Sequence, residues 1–208
     1  MINRSGLSHV ASILCLLVAA SGYTVGQAAA QEKPADAARE PATQPTAEDL
    51  KMLEPGPEHE RLKALVGDFD ADYEIFPGPN APAQHSKGKI TNELIYGGRF
   101  LQGRFEEDRD GTHFTGQNTI GFDKIKKRYV GTWINSGSTD IAFAEGTADA
   151  EGKVITMEFE DKDQDPAHPY RIRFVTTIVD KDHYTFETIV IDPQVKPFTV
   201  ARIEYTRR

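Results

Sequence analysis

The 208-residue chain carries 24 lysines and arginines against 32 aspartates and glutamates, a net charge of −8. Such an acidic surface repels phosphate-rich polymers and anionic lipid, so nucleic acid is not an expected partner. The single cysteine, Cys15, permits no intramolecular disulfide, and stability has to come from apolar burial.

In chain order, residues 1–30 read as a removable signal peptide. Arg4 supplies a positive start with no acid, Val10 to Ala20 is apolar, and Ala28 with Ala30 satisfies an A-x-A cleavage site. The apolar stretch is shorter than the roughly 20 residues a spanning helix needs. Cys15 follows Leu14 rather than a small residue, so lipid attachment is not expected. Cleavage after Ala30 leaves a mature chain that is one unit more acidic, free of cysteine and without an integral membrane segment. The expected location is periplasmic or secreted.

Residues 31–55 form an Ala- and Pro-rich linker, too poor in apolar residues to bury a core and expected to be disordered. Within it, Thr46 followed by Asp49 is a capping-box-like start for a short helix, and Pro55 ends it. Pro57 opens a second helix that runs to Val66. Leu62, Leu65 and Val66 share one face, and Gly67 stands at the C-terminal stop. That face needs a surface to cover: the first strands or one mouth of the downstream fold.

From Gly67 the period drops to two. Phe69, Ala71, Tyr73 and Ile75 alternate with Asp68, Asp70, Asp72 and Glu74, which predicts a half-buried strand. Further strands are read near 87–96, 99–108, 112–122, 128–136, 139–148, 153–160, 169–179, 183–192 and 197–207. Gly97-Gly98, Asp110-Gly111 and Glu151-Gly152 carry tight-hairpin chemistry. No crossover helix fits after Val66, so consecutive strands pair antiparallel. A meander of this size has two exposed edges, and closure removes them. The predicted fold over 56–208 is a mainly-β, up-and-down barrel of about 8–10 strands with a short N-terminal helix. An outer-membrane barrel would need an apolar lipid-facing side, whereas Arg99 to Glu107 carries charge on both faces.

Three segments together resemble the DUF1579 family, uncharacterised bacterial proteins of lipocalin-like, calycin-type fold. They are Gly56 to Phe69 (GPEHERLKALVGDF), Tyr96 to Gln102 (YGGRFLQ) and Gly121 to Ser136 (GFDKIKKRYVGTWINS). The resemblance implies a closed barrel and no established activity. Members of the family usually carry Asp after the Trp-Ile pair, where this chain has Asn135, and often Trp where it has Phe69. If that Asp were an acid or base, its loss would weaken a catalytic reading. Gly67-Asp68-Phe69 is similar to a degenerate lipocalin G-x-W start, in which an aromatic ring closes one barrel end.

Trp133 is the only tryptophan, and it shares a strand face with Tyr129 and Gly131. Its ring reads either as a core plug or as the wall of a ligand cavity. If the 122–129 hairpin pairs Phe122 with Tyr129, then Asn118 lies opposite Trp133 and Gly116 opposite Asn135. An apolar wall with a few polar groups is what a small-molecule site requires. The candidate ligand-binding residues are therefore Trp133, Tyr129, Asn118, Phe122, Asn135 and Ser136, with Gln117 beside them.

Other patterns point away from chemistry. His59, His85, His113, His168 and His183 form no metal-ligand spacing and read as solvated surface residues, His85 and His168 in Pro-rich loops. His113 and His183 start strands and would meet only if barrel closure brought them together. Asp161, Asp163 and Asp165 alternate, but Pro166 and Ile172 occupy positions where a calcium loop needs Gly and Glu. Glu106 and Glu107 point to opposite faces. Ser136-Gly137-Ser138 is not a nucleophile elbow. Lys124, Lys126, Lys127 and Arg128 read as a solvated basic turn. No catalytic residue, metal or cofactor is expected. The expected role is non-catalytic binding of a small, partly apolar molecule inside the barrel. The alternatives are an enzyme using interior carboxylates such as Glu145 or Glu187, with Glu158 a further strand carboxylate of undetermined face, and a protein-interaction module with a filled barrel.

Overall fold

The computed structural model describes residues 46–208 apart from 79, 80, 110 and 162–169. Helix α1 spans Ala47–Met52 and α2 spans Pro57–Leu62, continued by a 3-10 turn at Lys63–Leu65. Ten strands come next: β1 Gly67–Ile75, β2 Gln84–Ile95, β3 Phe100–Arg109, β4 Thr112–Asp123, β5 Arg128–Asn135, β6 Ala142–Ala148, β7 Val154–Asp161, β8 Tyr170–Ile178, β9 His183–Ile191 and β10 Phe198–Arg207. Each pairs antiparallel with the next, and β1 also pairs with β10, so the sheet closes into a barrel. This is the predicted architecture.

The differences are local. The helical run tightens into a 3-10 turn after Leu62 instead of continuing to Val66. Strand β6 begins at Ala142, because residues 136–138 turn on the Asn135 side chain. His85 lies in β2 opposite Glu74 and not in a loop. The predicted leader, most of the linker, His168, Asp163 and Asp165 lie outside the described residues. At the β2–β3 turn the chain takes positive φ at Tyr96, Gly97 and Gly98 (51°, 68° and 85°), which explains the paired glycines.

One end of the barrel is sealed. It is the end where β1 begins and β10 finishes, and α2 with its 3-10 turn lies across it. Leu62 is 0% exposed, Phe69 1% and Tyr129 1%. The Tyr129 hydroxyl donates to the Glu58 carbonyl at 3.1 Å, fastening α2 to β5. Tyr184 and Tyr205 stack at 4.3 Å beneath Phe69. Asn92, buried on β2, donates to the Leu65 carbonyl at 2.9 Å and the Tyr184 hydroxyl at 3.2 Å. The Arg207 guanidinium lies 4.5 Å over the Phe69 ring and donates to the carbonyls of Val66 (2.7 Å), Ala64 (3.4 Å) and Lys181 (2.9 Å). Both the helix and the first strand therefore make the seal.

His59 departs from the sequence expectation. It is 5% exposed, not solvated, and its edge meets Phe122 at 6.2 Å. Its Nδ1 accepts the Gly56 N–H at 3.0 Å, closing the first turn of α2, which requires a neutral ring. Burial pushes its pKa below the ordinary histidine value; Lys124 and Arg99 add to this, and Glu58 opposes it. The unfolded chain takes up this proton near pH 6.5, while the native ring resists it. The contribution of His59 is thus present above that pH and declines as pH falls below it. The urea midpoint is expected to fall between about pH 7 and pH 5.5, and a His59→Gln variant to fall less over the same interval.

Candidate functional site in the barrel lumen

The register decides which side chains face the lumen. Odd positions of β1, β3, β5, β7 and, from Ala201 onward, β10, and even positions of β2, β4, β6, β8 and β9 point inward, as the burial of Phe69, Ile90, Phe105, Ala144, Met157, Ile172, Tyr184 and Ile203 shows. Strands β4 and β5 pair Gly116 with Asn135, Asn118 with Trp133 and Phe122 with Tyr129, the register expected from the hairpin.

Trp133 lies against the wall. A Cβ on Gly116 would come 2.1 Å from its ring, so the indole occupies the space that any other residue at 116 would fill. Phe105 repeats the device over Gly88, where a Cβ would come 2.9 Å from the ring. Tyr73 and Phe114 extend the row, at 6.5 and 6.3 Å from Phe105. Rings laid along the wall over glycines do not project across the axis. Across the barrel, Phe159, Phe174 and Phe186 stack at 5.7 Å spacings with interplanar angles of 17° and 22°.

Trp133, Phe114, Phe174, Phe186, Asn118 and Ile120 point inward yet are only half-buried. Trp133, Phe114, Phe174, Phe186 and Ile120 pack against the buried core and keep the rest of their surface accessible. Polar groups punctuate this surface. The Asn118 Oδ1 accepts the Gly103 N–H at 3.0 Å, and Asn92 crowds Gly103 from the other side. Glu107, 3% exposed, accepts a hydrogen bond from the Ser86 hydroxyl. It is the one buried acid among the described residues, and its register turns it inward, toward the open end.

The other predicted site residues lie elsewhere. Phe122 and Tyr129 meet edge to face at 5.1 Å within the sealed-end core. The Asn135 amide is committed to its turn, accepting the Gly137 N–H at 2.8 Å and donating to the Ser138 hydroxyl at 3.2 Å. Ser136 accepts the Thr115 N–H at 3.1 Å on the outer face. There it borders an open concavity of about 520 Å³ between Arg104, His113, Thr115, Gln117 and Ile134. The exposed His113–Asp108 pair, 2.8 Å apart, lies at its edge, and no buried polar group lines it. The lumen, which holds the buried polar groups and the aromatic rows, is the better-built site.

The carboxylates Glu145, Glu158 and Glu187 face outward, where Lys126 (2.5 Å), Arg173 (2.7 Å) and Arg202 (2.8 Å) bind them. This removes Glu145 and Glu187 from the interior acid–base reading. His113 and His183 lie at opposite ends and do not meet. Lys124 is not simply solvated: its Nζ bonds the Lys51 and Glu54 carbonyls, both at 3.0 Å, and pins α1 to the β4–β5 turn. Among the described residues, no group of three His, Cys, Asp or Glu is placed to hold a metal. No helix there is long and apolar enough to cross a membrane.

Sequence reasoning gave no site role to Glu107, Asn92, Arg207 or the glycines at 88, 103 and 116. The glycines carried a legible signal. Mid-strand Gly marks the close approach of another group, and three such positions on consecutive strands trace the wall that the rings and amides cover.

A family profile described as "Protein of unknown function (DUF1579)" matches residues 54–207. A comparison with curated proteins gives no significant match. Among solved structures, the chain is similar to Rv2717c from M. tuberculosis, with TM-score 0.52 and 12% identity over 74% of this chain and 99% of that one. It is also similar to the S-type phycobiliprotein lyase CPES from Guillardia theta, with TM-score 0.51 and 13% identity over 79% of this chain and 98% of that one. At these identities the likeness concerns the fold alone.

Proposed function

The chain belongs to the DUF1579 family of proteins of unknown function, and from the barrel itself we propose that it binds a small, partly apolar molecule in the lumen without transforming it. The observation that carries this is Trp133: an inward-facing ring, laid flat over Gly116, that keeps part of its surface open to the lumen beside Asn118. A core plug would be fully buried, as Phe69 and Tyr129 are at the sealed end. Aromatic walls with a few fixed polar groups suit a ligand with an apolar body. Binding outside the cytoplasm is part of the same proposal, supported by the leader-like sequence of residues 1–30.

Because Trp133 is the sole tryptophan, its emission reports on the lumen directly. Titration with a neutral apolar probe such as 1-dodecanol is expected to shift Trp133 emission to the blue and to saturate at one equivalent. Unchanged emission together with no heat of binding by calorimetry would remove the proposal.

A further inference from the structure

We infer that the sealed end of the barrel is a docking surface for an anionic lipid bilayer, a role that stands apart from ligand binding in the lumen. Three segments meet at this end: α1, the β2–β3 turn and the β4–β5 turn. Arg99 joins the first two, its guanidinium donating to the Leu53 and Tyr96 carbonyls, both at 3.1 Å. Lys124 joins the third to α1 through the Lys51 and Glu54 carbonyls. Each segment presents apolar side chains to solvent. Ile125 is 87% exposed, Tyr96 75% and Leu53 64%, with Leu50 and Met52 about half exposed. One such residue alone would need no explanation, but on segments tied together they make a patch.

The charge of the patch runs against that of the chain. Residues 123–128 hold four cations and one acid, in a chain of net charge −8. The acid, Asp123, is turned back onto the N–H groups of Ile125 and Lys126, at 2.8 and 2.9 Å. Glu145 pairs with Lys126. Lys127 and Arg128 are exposed and make no ion pair among the described residues. The α1 segment adds the acids Glu48, Asp49 and Glu54 beside Lys51, so the attraction for anions rests on the β4–β5 turn, with Ile125 at its tip. The backbone holds these side chains at a conformational cost. Tyr96 and Lys127 are the non-glycine residues with positive φ among the described residues, at 51° and 54°. Glycine would adopt that conformation freely, so a tyrosine and a lysine kept there point to use of their side chains.

A bilayer fits this surface better than a folded partner does. The apolar groups stand on turns and a short helix, not in a groove, and a fluid interface moulds around separate protruding side chains. Ile125 and Leu53 would enter the boundary between headgroups and acyl chains, with the Tyr96 ring at headgroup level. The lysines and Arg128 would stay among the lipid phosphates, their stems lying over apolar surface.

Flotation with vesicles tests this on the chain from residue 31, which keeps every described residue. Vesicles of phosphatidylcholine with about one-third phosphatidylglycerol are expected to bind it at least tenfold more strongly than phosphatidylcholine alone, and added salt to weaken the binding. Lys127→Glu combined with Arg128→Glu should lower the partition coefficient about tenfold or more. Ile125→Ser combined with Tyr96→Asn leaves the charge unchanged and keeps a residue that tolerates positive φ, and should also lower it about tenfold. Lys87→Glu with Lys89→Glu, the same charge change on the outer face of β2, should leave it within about threefold. Equal binding to both vesicles, no binding to either, or an equal loss in the β2 control would overturn the inference. Loss with the charge variant but not with the apolar one would overturn it too, in favour of an acidic protein held by charge alone.

Discussion

Arg207→Met is expected to lower the stability of the barrel by about 3 kcal/mol, read as a fall in the urea midpoint at unchanged slope. The guanidinium serves three backbone carbonyls, on the 3-10 turn, on the residue that leads into β1, and on the β8–β9 turn. These carbonyls belong to segments that no sheet ladder holds, so removing the guanidinium leaves them without their donor. The aliphatic stem of methionine still covers Phe69, so the loss comprises the hydrogen bonds, the ion pair with Asp182 at 3.4 Å and the cation over the ring. Arg207→Lys should recover only part of the stability. An ammonium is a point donor and cannot span three carbonyls that the planar fork reaches together. If Arg207→Met left the midpoint unchanged, the seal would be held by apolar packing and by the Tyr129 and Asn92 hydrogen bonds, without the guanidinium.

The second large effect belongs to Gly116. A valine there puts a Cβ 2.1 Å from the Trp133 ring, and the ring has to leave the wall. Its only free direction is into the lumen. Gly116→Val should therefore reduce binding of a neutral apolar probe at least tenfold, at a stability cost of about 1–3 kcal/mol from overpacking. Tryptophan emission should move even without ligand. Gly131 provides the control on the neighbouring strand. A Cβ there meets its nearest atoms at 3.4 to 3.6 Å, ordinary contact distances, so Gly131→Ala should leave both binding and emission as they are. Undiminished probe binding by Gly116→Val would show that the ligand space lies elsewhere.

How much of this was legible in the sequence depends on what kind of information each feature needs. The barrel was legible because its signals are local. The alternation of Phe69, Ala71, Tyr73 and Ile75 fixes a face, and the two-glycine turn at 97–98 fixes a hairpin. The 122–129 hairpin also gave the correct partner for Trp133, because a short turn leaves little freedom of register. Closed topology followed from counting strands without crossovers. The lumen was harder, since whether an inward residue is buried or lines a space depends on the far wall. Phe122 and Tyr129 share a face with Asn118 and Trp133, yet they pack under α2, because α2 covers only one end. Glu145 and Glu187 looked available because their inward or outward sense depends on registers set across several strands. His59 read as a surface residue because nothing local reveals that Phe122 reaches the helix. Arg207 had no local signature: its partners are more than 140 residues away in sequence at Val66 and Ala64.

The closure of β1 on β10 also bears on how the molecule folds. Nine of the ten strand pairings join neighbours along the chain and can form as each hairpin emerges. The tenth joins Phe69 to Arg207 and Ile75 to Ala201, across almost the whole described chain. Contacts of that span carry the largest loop-closure entropy and are the slow step in β-rich proteins. Until they form, β1 and β10 are both open edges, each able to pair with another molecule. The backbone N–H of Arg208 donates to the Asp68 carbonyl at 3.0 Å, so the residue after β10 also takes part in the closure. Loss of β10 would thus leave a barrel with two permanent edges, β1 and β9, prone to pair with other copies of the chain during synthesis. Strand β10 acts as the latch by which one copy of the chain shuts upon itself.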